Sequence, residues 1–395
     1  MSSMPLPLSQ HLSISRRTWL QFGTTAACAS LWPLACGAAE SPESAAPHLH
    51  LFACSNYLAH SERIGIGLQR LQSAGFVVDN TAALYRRHQR FAGTDAERAA
   101  DLQDVAQGRA SLPALLLGVR GGYGAIRLLP LVDWRRLGHR MREAGTLLMG
   151  YSDVCAVQLA LLAQGNMGSL AGPMFSSEFG SLNPSLYTLR HFVETSTSPS
   201  CEVRVAMQPP PTGRVVRVEG RFWGGNLSVL ASLVGSPWMP DVQGGILFLE
   251  DVGEQPYRLE RMLQTLYLAG VFRRQQAIVL GTFRLGSVHD LYDESYDFDS
   301  VIATLRQLTG LPVFTGFPFG HIHDKVTMPL GFPARIEGTE SGYRVVFSGY
   351  PTLDARRLHL HALLDSATEV DGSPARATWP SPPGPETGPS STSEE

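Results

Sequence analysis

A serine lies at a sharp change of pattern in the first half of the sequence. The run Leu147 to Gly150 is typical of a buried strand and Val154 to Leu162 of a helix, so Ser152 lies in the turn between them. Such a serine can act as a nucleophile, because the N–H groups at the start of the next helix can bind an oxyanion. The segment lacks the last glycine of a Gly-x-Ser-x-Gly elbow. Taken alone, it is also explained by a serine that caps the helix.

A glycine-rich loop, Arg120-Gly121-Gly122-Tyr123-Gly124, follows the apolar run Leu115 to Val119. Glycines let a backbone come close to a bound group, so the N–H groups of Gly122 and Asp153 could together form an oxyanion hole. A phosphate-binding loop is an alternative, but the Gly-x-Gly-x-x-Gly spacing and a following Lys-Ser/Thr are missing. A plain turn is another. Arg120 could bind a substrate carboxylate or could only tie the loop to the sheet.

A serine nucleophile needs a base and a carboxylate that orients the base. His321 ends a glycine-flanked loop after the apolar run Val313 to Thr315, and Glu250 is the first residue after the buried strand that ends at Leu249. The alternatives are a histidine that only hydrogen-bonds within its loop, and two acids, Glu250 and Asp251, that cap the next helix.

The histidine loop also suggests a metal site, because His323 and Asp324 follow His321 closely. No second group of histidines and carboxylates completes a ligand set, so we do not expect a metal site in this loop. The acids between Asp290 and Asp299 lack the spacing of a calcium loop and are expected to be solvated.

The order of the elements predicts an α/β protein with parallel strands flanked by helices. Thr94 and Glu97 form a capping box for a helix from Asp95 to Gln107. Residues 48–190 are predicted to form an N-terminal domain that carries the nucleophile, 191–211 a linker rich in Ser, Thr and Pro, and 212–366 a C-terminal domain that carries the acid and the base. Residues 367–395 are predicted to be a disordered tail.

The composition excludes several classes of protein. The 395 residues include 44% hydrophobic and 17% charged residues, with a formal net charge of -3. Lys325 is the only lysine, and the arginines are dispersed, so we expect no nucleic-acid partner. Three cysteines beyond the first forty residues, Cys54, Cys155 and Cys201, form neither a disulfide framework nor a zinc site.

The first 39 residues are predicted to be an export signal. Arg16-Arg17 precedes a mildly apolar run that ends in small residues near Ala39, as in a twin-arginine signal. The run is too short and too polar for a stable membrane span, so we expect a periplasmic protein. Lipid attachment at Cys36 is an alternative.

Several of these segments together resemble the L,D-carboxypeptidase family of serine peptidases, whose members act on murein tetrapeptides. The resemblance extends over nearly the whole chain beyond the signal and follows the family's order of motifs. The segments that carry it are Arg90-Phe91-Ala92-Gly93-Thr94, Val119 to Gly124, Gly150-Tyr151-Ser152-Asp153, Gly172-Pro173-Met174, Trp223-Gly224-Gly225-Asn226-Leu227, Leu249-Glu250-Asp251 and Phe319-Gly320-His321.

The resemblance implies a flavodoxin-like N-terminal domain and a smaller α/β C-terminal domain, with Ser152, Glu250 and His321 as a catalytic triad at their interface. It implies a homodimer that removes the terminal D-alanine from a murein peptide without a cofactor. At motif positions, Arg120, Tyr123, Trp223 and Asn226 are predicted to bind substrate.

The chain departs from the family in two places. The family's usual members work in the cytoplasm, whereas this chain carries an export signal, and Cys54 stands where proline is expected. Two other functions remain open: a hydrolase of peptidyl-nucleotides like the microcin C immunity protein, and a murein-binding protein without activity.

Overall fold

The strands of the chain form two sheets with helices packed on them. The computed structural model describes residues 46–206, 217–286, 290, 292–293, 295–339 and 341–365. All of these residues belong to one compact unit. The strands are β1 His48–Phe52, β2 Val77–Asp79, β3 Leu115–Gly118, β4 Leu147–Gly150, β5 Ser169–Ala171, β6 Ser200–Ala206, β7 Arg217–Asn226, β8 Gly245–Val252, β9 Gln275–Arg284, β10 Val313–Phe314, β11 Met328–Leu330, β12 Phe332–Thr339 and β13 Gly342–Ser348. The helices are α1 Glu62–Ser73, α2 Asp95–Gln107, α3 Trp134–Ala144, α4 Cys155–Gly165, α5 Leu186–Thr197, α6 Leu227–Ser232, α7 Pro256–Leu268, α8 Phe298–Thr309 and α9 His361–Asp365.

The first sheet has the strand order β11-β5-β4-β3-β1-β2. All neighbouring pairs from β5 to β2 are parallel, and β11 pairs with β5 antiparallel. The order of the five parallel strands is that of a flavodoxin-like sheet. β3 and β4 are buried along their whole length, as expected of strands covered on both faces. The carboxyl ends of β1, β3 and β4 therefore meet at one edge of the sheet.

The second sheet has the order β10-β9-β8-β7-β12-β13-β6. Its first four strands run parallel, and β12, β13 and β6 extend it antiparallel. Within the described residues it has one strand more than the first sheet, although its region of the chain was expected to be the smaller. Phe248 of β8 packs against the buried rings of Phe317 and Phe319, at centroid distances of 5.6 and 5.8 Å. These contacts anchor the segment that leads to His321.

The predicted elements correspond closely to the observed ones in the N-terminal half. α2 has the predicted bounds, and its capping box is formed: Thr94 Oγ1 accepts from Glu97 N at 3.3 Å, and Thr94 N donates to Glu97 Oε2 at 2.7 Å. β4 likewise begins and ends at the predicted residues.

The segment predicted as a linker is structured where it is described. Residues 191–206 contain the end of α5 and all of β6. β6 pairs with β13, and its Val203 and Val205 are buried. Thr195, one of the polar residues that suggested a linker, lies in α5 and donates to the carbonyl of Thr327.

The chain after residue 212 does not stay within the second sheet. β11 joins the first sheet beside β5. Leu358, Leu360 and Leu363, in and before α9, are buried in the hydrophobic cluster that includes β1 and β3. The prediction of 212–366 as a separate domain misses this return, because short segments carry no periodicity that shows which sheet they join.

The predicted signal (1–39) and tail (367–395) lie outside the described residues. No helix in the described part of the chain is long and apolar enough to cross a membrane. Cys54, Cys155 and Cys201 are free thiols. Burial raises the pKa of each, so none of them is activated as a nucleophile.

Candidate active site

Ser152 lies in a tight turn between β4 and α4. Its φ is 64°, in the left-handed region that residues other than glycine seldom adopt. Such a conformation costs on the order of 1 to 3 kcal/mol and is typical of a nucleophile held at a strand-to-helix turn. Gly150 permits the turn, because a Cβ there would lie 2.7 Å from Val154 Cγ1. The hydroxyl of Ser152 makes no helix-capping bond, so the helix-cap explanation does not apply.

His321 connects the serine to a buried carboxylate. Its Nε2 lies 2.9 Å from Ser152 Oγ, and its Nδ1 lies 2.9 Å from Glu250 Oε2. Glu250 is 1% exposed, at the carboxyl end of β8. With a proton on Nδ1 donated to the carboxylate, Nε2 is free to accept the proton of the serine. Three residues that are far apart in sequence thus form one hydrogen-bonded relay.

Asn226 holds the carboxylate from the other side. Its Nδ2 donates to Glu250 Oε1 at 3.1 Å, while its Oδ1 accepts from Val229 N at the start of α6. Asn226 is 5% exposed. The buried amide bonds to Glu250, to Asp251 and to the start of α6, which contradicts its predicted role in binding substrate.

Trp223 is also misplaced by the sequence prediction. The side chain is 1% exposed, and its Nε1 donates to the buried Gln275 Oε1 at 2.8 Å. A buried indole in the core of the second sheet cannot touch a substrate. Its partner lies 52 residues away, so no local pattern indicated this contact.

Asp251, next to Glu250, accepts backbone hydrogen bonds from Ser228 N and Val252 N, each at 2.8 Å. The two acids therefore divide the roles that the sequence left open: Asp251 serves the first turn of α6, and Glu250 faces the histidine. Burial raises the pKa of Asp251 to about 6, and the charge of Glu250 contributes to the rise.

Replacing Asp251 by asparagine is expected to change how stability depends on pH. Because the pKa of Asp251 is about 6 in the folded protein against 3.8 in its ordinary state, the folded chain holds the proton more tightly. Its free energy of unfolding then falls as the pH rises through this window. In Asp251→Asn this loss is absent, so the variant gains up to roughly 3 kcal/mol on the parent between pH 4 and 7. Denaturant unfolding of both proteins across this range measures the difference, and parallel curves would contradict it.

The glycine-rich loop after β3 touches the serine directly. A Cβ on Gly121 would lie 2.7 Å from both Cβ and Oγ of Ser152 and 3.4 Å from Asp153 N. Gly122 has a φ of 124° and lies against the side chain of Asn56. The N–H groups at the start of a helix have no partner within it, and Asp153 N lies beside Gly121, the residue before Gly122. The loop lies where an oxyanion hole is expected.

Gly121→Ala is expected to lower kcat/KM of the expected peptidase reaction by at least about 10²-fold, since the methyl group would displace Ser152 or the oxyanion donors. The φ of Gly121 is not in the left-handed region, so alanine is not excluded by the backbone itself. Gly65→Ala is the matched control, because a Cβ there, on α1, meets nothing within 4 Å. Steady-state kinetics and thermal unfolding of both variants test this. Equal activity of the two would show that the close contact has no role.

A buried network that the sequence analysis missed connects the histidine loop to the first sheet. Lys325, 2% exposed, donates from Nζ to Glu178 Oε1 at 2.7 Å. Glu178 also accepts from Tyr151 Oη at 3.1 Å and from Met174 N at 2.8 Å. The ring of Tyr151 packs edge-on against His321 at 5.4 Å. The sequence held one signal for this network: the only lysine lies four residues after His321.

The two remaining predicted substrate residues lie beside the loop. Tyr123 is 48% exposed and packs 6.1 Å from Phe91. Arg120 is half-buried and donates from Nη1 to the carbonyl of Tyr57 at 3.1 Å. It therefore ties the loop after β3 to the segment after β1, and one of its donors is used in doing so.

The alternative of a metal site in the histidine loop rested on His323 and Asp324 beside His321. His323 contacts Asp324 Oδ1 at 2.8 Å and the carbonyl of Asn183 at 3.2 Å. Among the residues that the structure describes, no group of three or more His, Cys, Asp or Glu side chains is placed to hold a metal ion. Ser185 Oγ donates to the same Asp324 Oδ1 atom at 2.6 Å.

Comparisons with known proteins show the family to which this chain belongs. The sequence matches the profile of the LD-carboxypeptidase N-terminal domain over residues 49–172 and that of the C-terminal domain over residues 219–336. The crystal structure of muramoyltetrapeptide carboxypeptidase from Oxalobacter formigenes is similar with a TM-score of 0.69 and 38% identity, over 77% of this chain and 100% of that one. Murein tetrapeptide carboxypeptidase of Pseudomonas aeruginosa is 32% identical over 264 residues, which are 64% of this chain and 81% of that protein.

A third relative has a different name. Microcin C7 self-immunity protein MccF of Escherichia coli is 26% identical over 300 residues, which cover 69% of this chain and 84% of that protein. Its solved structure, at 23% identity and a TM-score of 0.65, shows a likeness of fold alone.

Proposed function

Because this chain belongs to the LD-carboxypeptidase family, we propose that it is a serine carboxypeptidase that removes the terminal D-alanine from murein tetrapeptides. The bond cleaved joins the L-centre of diaminopimelate to D-alanine. One observation carries the proposal: Ser152, His321 and Glu250 form a continuous hydrogen-bonded relay with both distances at 2.9 Å. The names of the two more similar relatives support the substrate class.

In the proposed mechanism, Ser152 Oγ attacks the carbonyl carbon of diaminopimelate as His321 Nε2 takes the hydroxyl proton. Glu250 stabilises the imidazolium that forms and keeps its Nδ1 proton in place. The N–H groups of Gly122 and Asp153 stabilise the oxyanion, a contribution of about 10² to 10³ in rate for one such donor. His321 then gives its proton to the nitrogen of the departing D-alanine. Water hydrolyses the acyl-enzyme with His321 again as the base.

Incubation of the purified protein with a murein tetrapeptide, followed by mass spectrometry, tests the proposal. The expected product is the tripeptide together with free D-alanine. A peptide cleaved at another bond, or not cleaved at all, would contradict it.

The similarity to the microcin self-immunity protein favours one second candidate, hydrolysis of a peptidyl-nucleotide. An acyl-sulfamoyl adenylate assayed beside the tetrapeptide separates the two activities. We rank this activity second, because the microcin self-immunity protein is less identical to the chain than the two murein peptide carboxypeptidases are. A murein-binding protein without activity is the third possibility, and it requires that the parent protein bind the peptide without turnover.

We further propose that the protein is exported through its twin-arginine segment, acts in the periplasm and is a homodimer. The proposal of export rests on Arg16-Arg17 and the apolar run that follows them. Cell fractionation of the parent and of the Arg16→Lys, Arg17→Lys variant tests export, and mass spectrometry of the exported protein locates the cleavage site or a lipid on Cys36. Light scattering gives the mass of the assembly.

A further inference from the structure

Four arginines on and around the glycine-rich loop after β3 form no ion pair with a carboxylate in the described part of the chain. They are Arg63 on α1, Arg87 and Arg90 in the segment after β2, and Arg120 in the loop after β3, and we call them the arginine rim. Their neighbours in sequence behave differently. Arg86 pairs with Asp101, and Arg98 and Arg127 both pair with Asp95. Other arginines in this region therefore do pair with carboxylates, and the lack of a carboxylate partner is specific to the rim.

The rim borders the nucleophile through a short series of contacts. Gly121 lies against Ser152, and Gly122 lies against the side chain of Asn56. The Oδ1 atom of Asn56 accepts from Arg90 Nε and from Tyr123 N, each at 3.4 Å. Three residues, Gly121, Gly122 and Asn56, thus connect Ser152 to Arg90. The charge of Arg90 also reaches the buried carboxyl of Asp153, where it acts to lower the pKa against the raising effect of burial.

The guanidinium groups of the rim are held in place by neutral partners. Arg87 lies over the ring of Tyr57, 4.3 Å from its centroid, and Arg90 lies over Tyr123 at 5.6 Å. Arg120 donates to the carbonyl of Tyr57 at 3.1 Å. Each guanidinium has five N–H donors, so these contacts leave donors of every rim arginine unused. A positioned guanidinium with free donors suits a bidentate contact with a carboxylate.

Two members of the rim lie close together without a counter-charge. Arg63 donates from Nη1 to the carbonyl of Ser176 at 3.2 Å, and Ser176 N donates to Val119 O, next to Arg120. Burial lowers the pKa of the half-buried Arg120, and the charge of Arg63 lowers it further. An anion beside them would offset both the burial of the Arg120 charge and its repulsion by the charge of Arg63. A plain solvated surface offers no reason for a half-buried pair of like charges beside a nucleophile.

We propose that the arginine rim binds carboxylates of the substrate peptide other than the reacting group, and that it selects peptides that carry several of them. The inference rests on the proposed function. A murein tetrapeptide meets this description, since it carries carboxylates on D-glutamate, on the side chain of diaminopimelate and on the terminal D-alanine. Amidation of the first two removes their charge and leaves the scissile bond unchanged.

The closing experiment compares the free tetrapeptide with the same peptide amidated at D-glutamate and at the diaminopimelate side chain. The proteins are the parent, the Arg87→Gln, Arg90→Gln double variant, and Arg273→Gln. Arg273 is an exposed arginine before β9 that makes no ion pair in the described residues. Its variant removes one positive charge at a remote place, whereas the double variant removes two. The readouts are KM and kcat separately, at low and at high salt, with thermal unfolding as the check on folding.

The parent is expected to prefer the free peptide by about 10-fold in KM, because an exposed guanidinium–carboxylate contact contributes up to about 5-fold. The double variant is expected to lose most of this preference with kcat nearly unchanged, and Arg273→Gln to keep it. High salt should weaken the parent's preference. A parent that treats both peptides alike, or a double variant that discriminates as the parent does, would overturn the proposal.

Failure of the rim and failure of the proposed function are distinguishable. If both peptides lose D-alanine at one rate, the carboxypeptidase stands and the rim has no role in selection. If neither peptide is cleaved, calorimetry of peptide binding to the same proteins still decides whether the rim discriminates. Arg120→Gln serves as a second variant: it removes the half-buried cation and should weaken binding of the free peptide by 10-fold or more.

Discussion

Replacement of Ser152 by alanine is expected to lower kcat for the release of D-alanine by roughly 10⁴- to 10⁶-fold. The change removes the only atom that can form the acyl-enzyme, while the backbone donors and the binding surface remain. Binding of the tetrapeptide should therefore change by less than about threefold, and stability by about 1 kcal/mol through the lost bond to His321. Calorimetry with the uncleaved peptide and single-turnover kinetics measure the two effects.

Ser73→Ala is a suitable control, because Ser73 is an exposed residue at the end of α1. It should leave kcat, KM and unfolding unchanged. Retention of more than a hundredth of the parent activity in Ser152→Ala would exclude Ser152 as the nucleophile. Full binding without turnover in the parent protein would instead favour the murein-binding alternative.

Glu250→Gln is expected to reduce kcat by about 10³- to 10⁴-fold with little change in KM. One carboxylate oxygen faces His321 Nδ1 and the other accepts from Asn226 Nδ2. An amide has a single acceptor atom, so it cannot satisfy both partners. If its NH₂ faces the histidine, Nδ1 becomes the acceptor and Nε2 carries the proton, which is the wrong tautomer for activating Ser152. If the new NH₂ group faces Asn226 Nδ2 instead, two N–H donors lie against each other in a buried place without an acceptor.

The neighbouring Asp251→Asn is the matched control for Glu250→Gln, since it neutralises another buried acid on the same strand. It should keep kcat within about 10-fold of the parent, because Asp251 bonds to two backbone N–H groups and to Asn226 Nδ2, but not to His321. The Ser152→Ala, Glu250→Gln double variant should be no slower than Ser152→Ala alone, since the two residues act as a unit. Additive losses would argue against a shared relay.

The sequence predicted those parts of the fold and site that depend on short segments. β4, the turn at Ser152 and the capping box of α2 are each determined within a few residues, so apolar runs and capping patterns revealed them. The position of Glu250 followed from its place at the end of a buried strand. The predicted proximity of Ser152, Glu250 and His321 is observed, although their catalytic roles stay a prediction until variants are assayed.

What the sequence could not predict depends on contacts between distant residues. No neighbour of Trp223 in the sequence indicates that its indole N–H donates to Gln275. No neighbour of Asn226 indicates that its amide faces Glu250 and not the substrate. The polar residues around α5 suggested a linker, because composition does not show which hydroxyls find buried partners. The return of β11 and α9 to the first sheet was missed for the same reason.

The burial of Lys325 has a practical consequence for labelling. The chain has no other lysine, and this ε-amine lies against Glu178 in the interior. Amine-directed reagents, including common cross-linkers and fluorophore esters, should therefore leave side chains untouched while the histidine loop stays docked. Modification of Lys325 would therefore show that the histidine loop has detached from Glu178. Its rate would measure how often the loop opens in the unaltered protein.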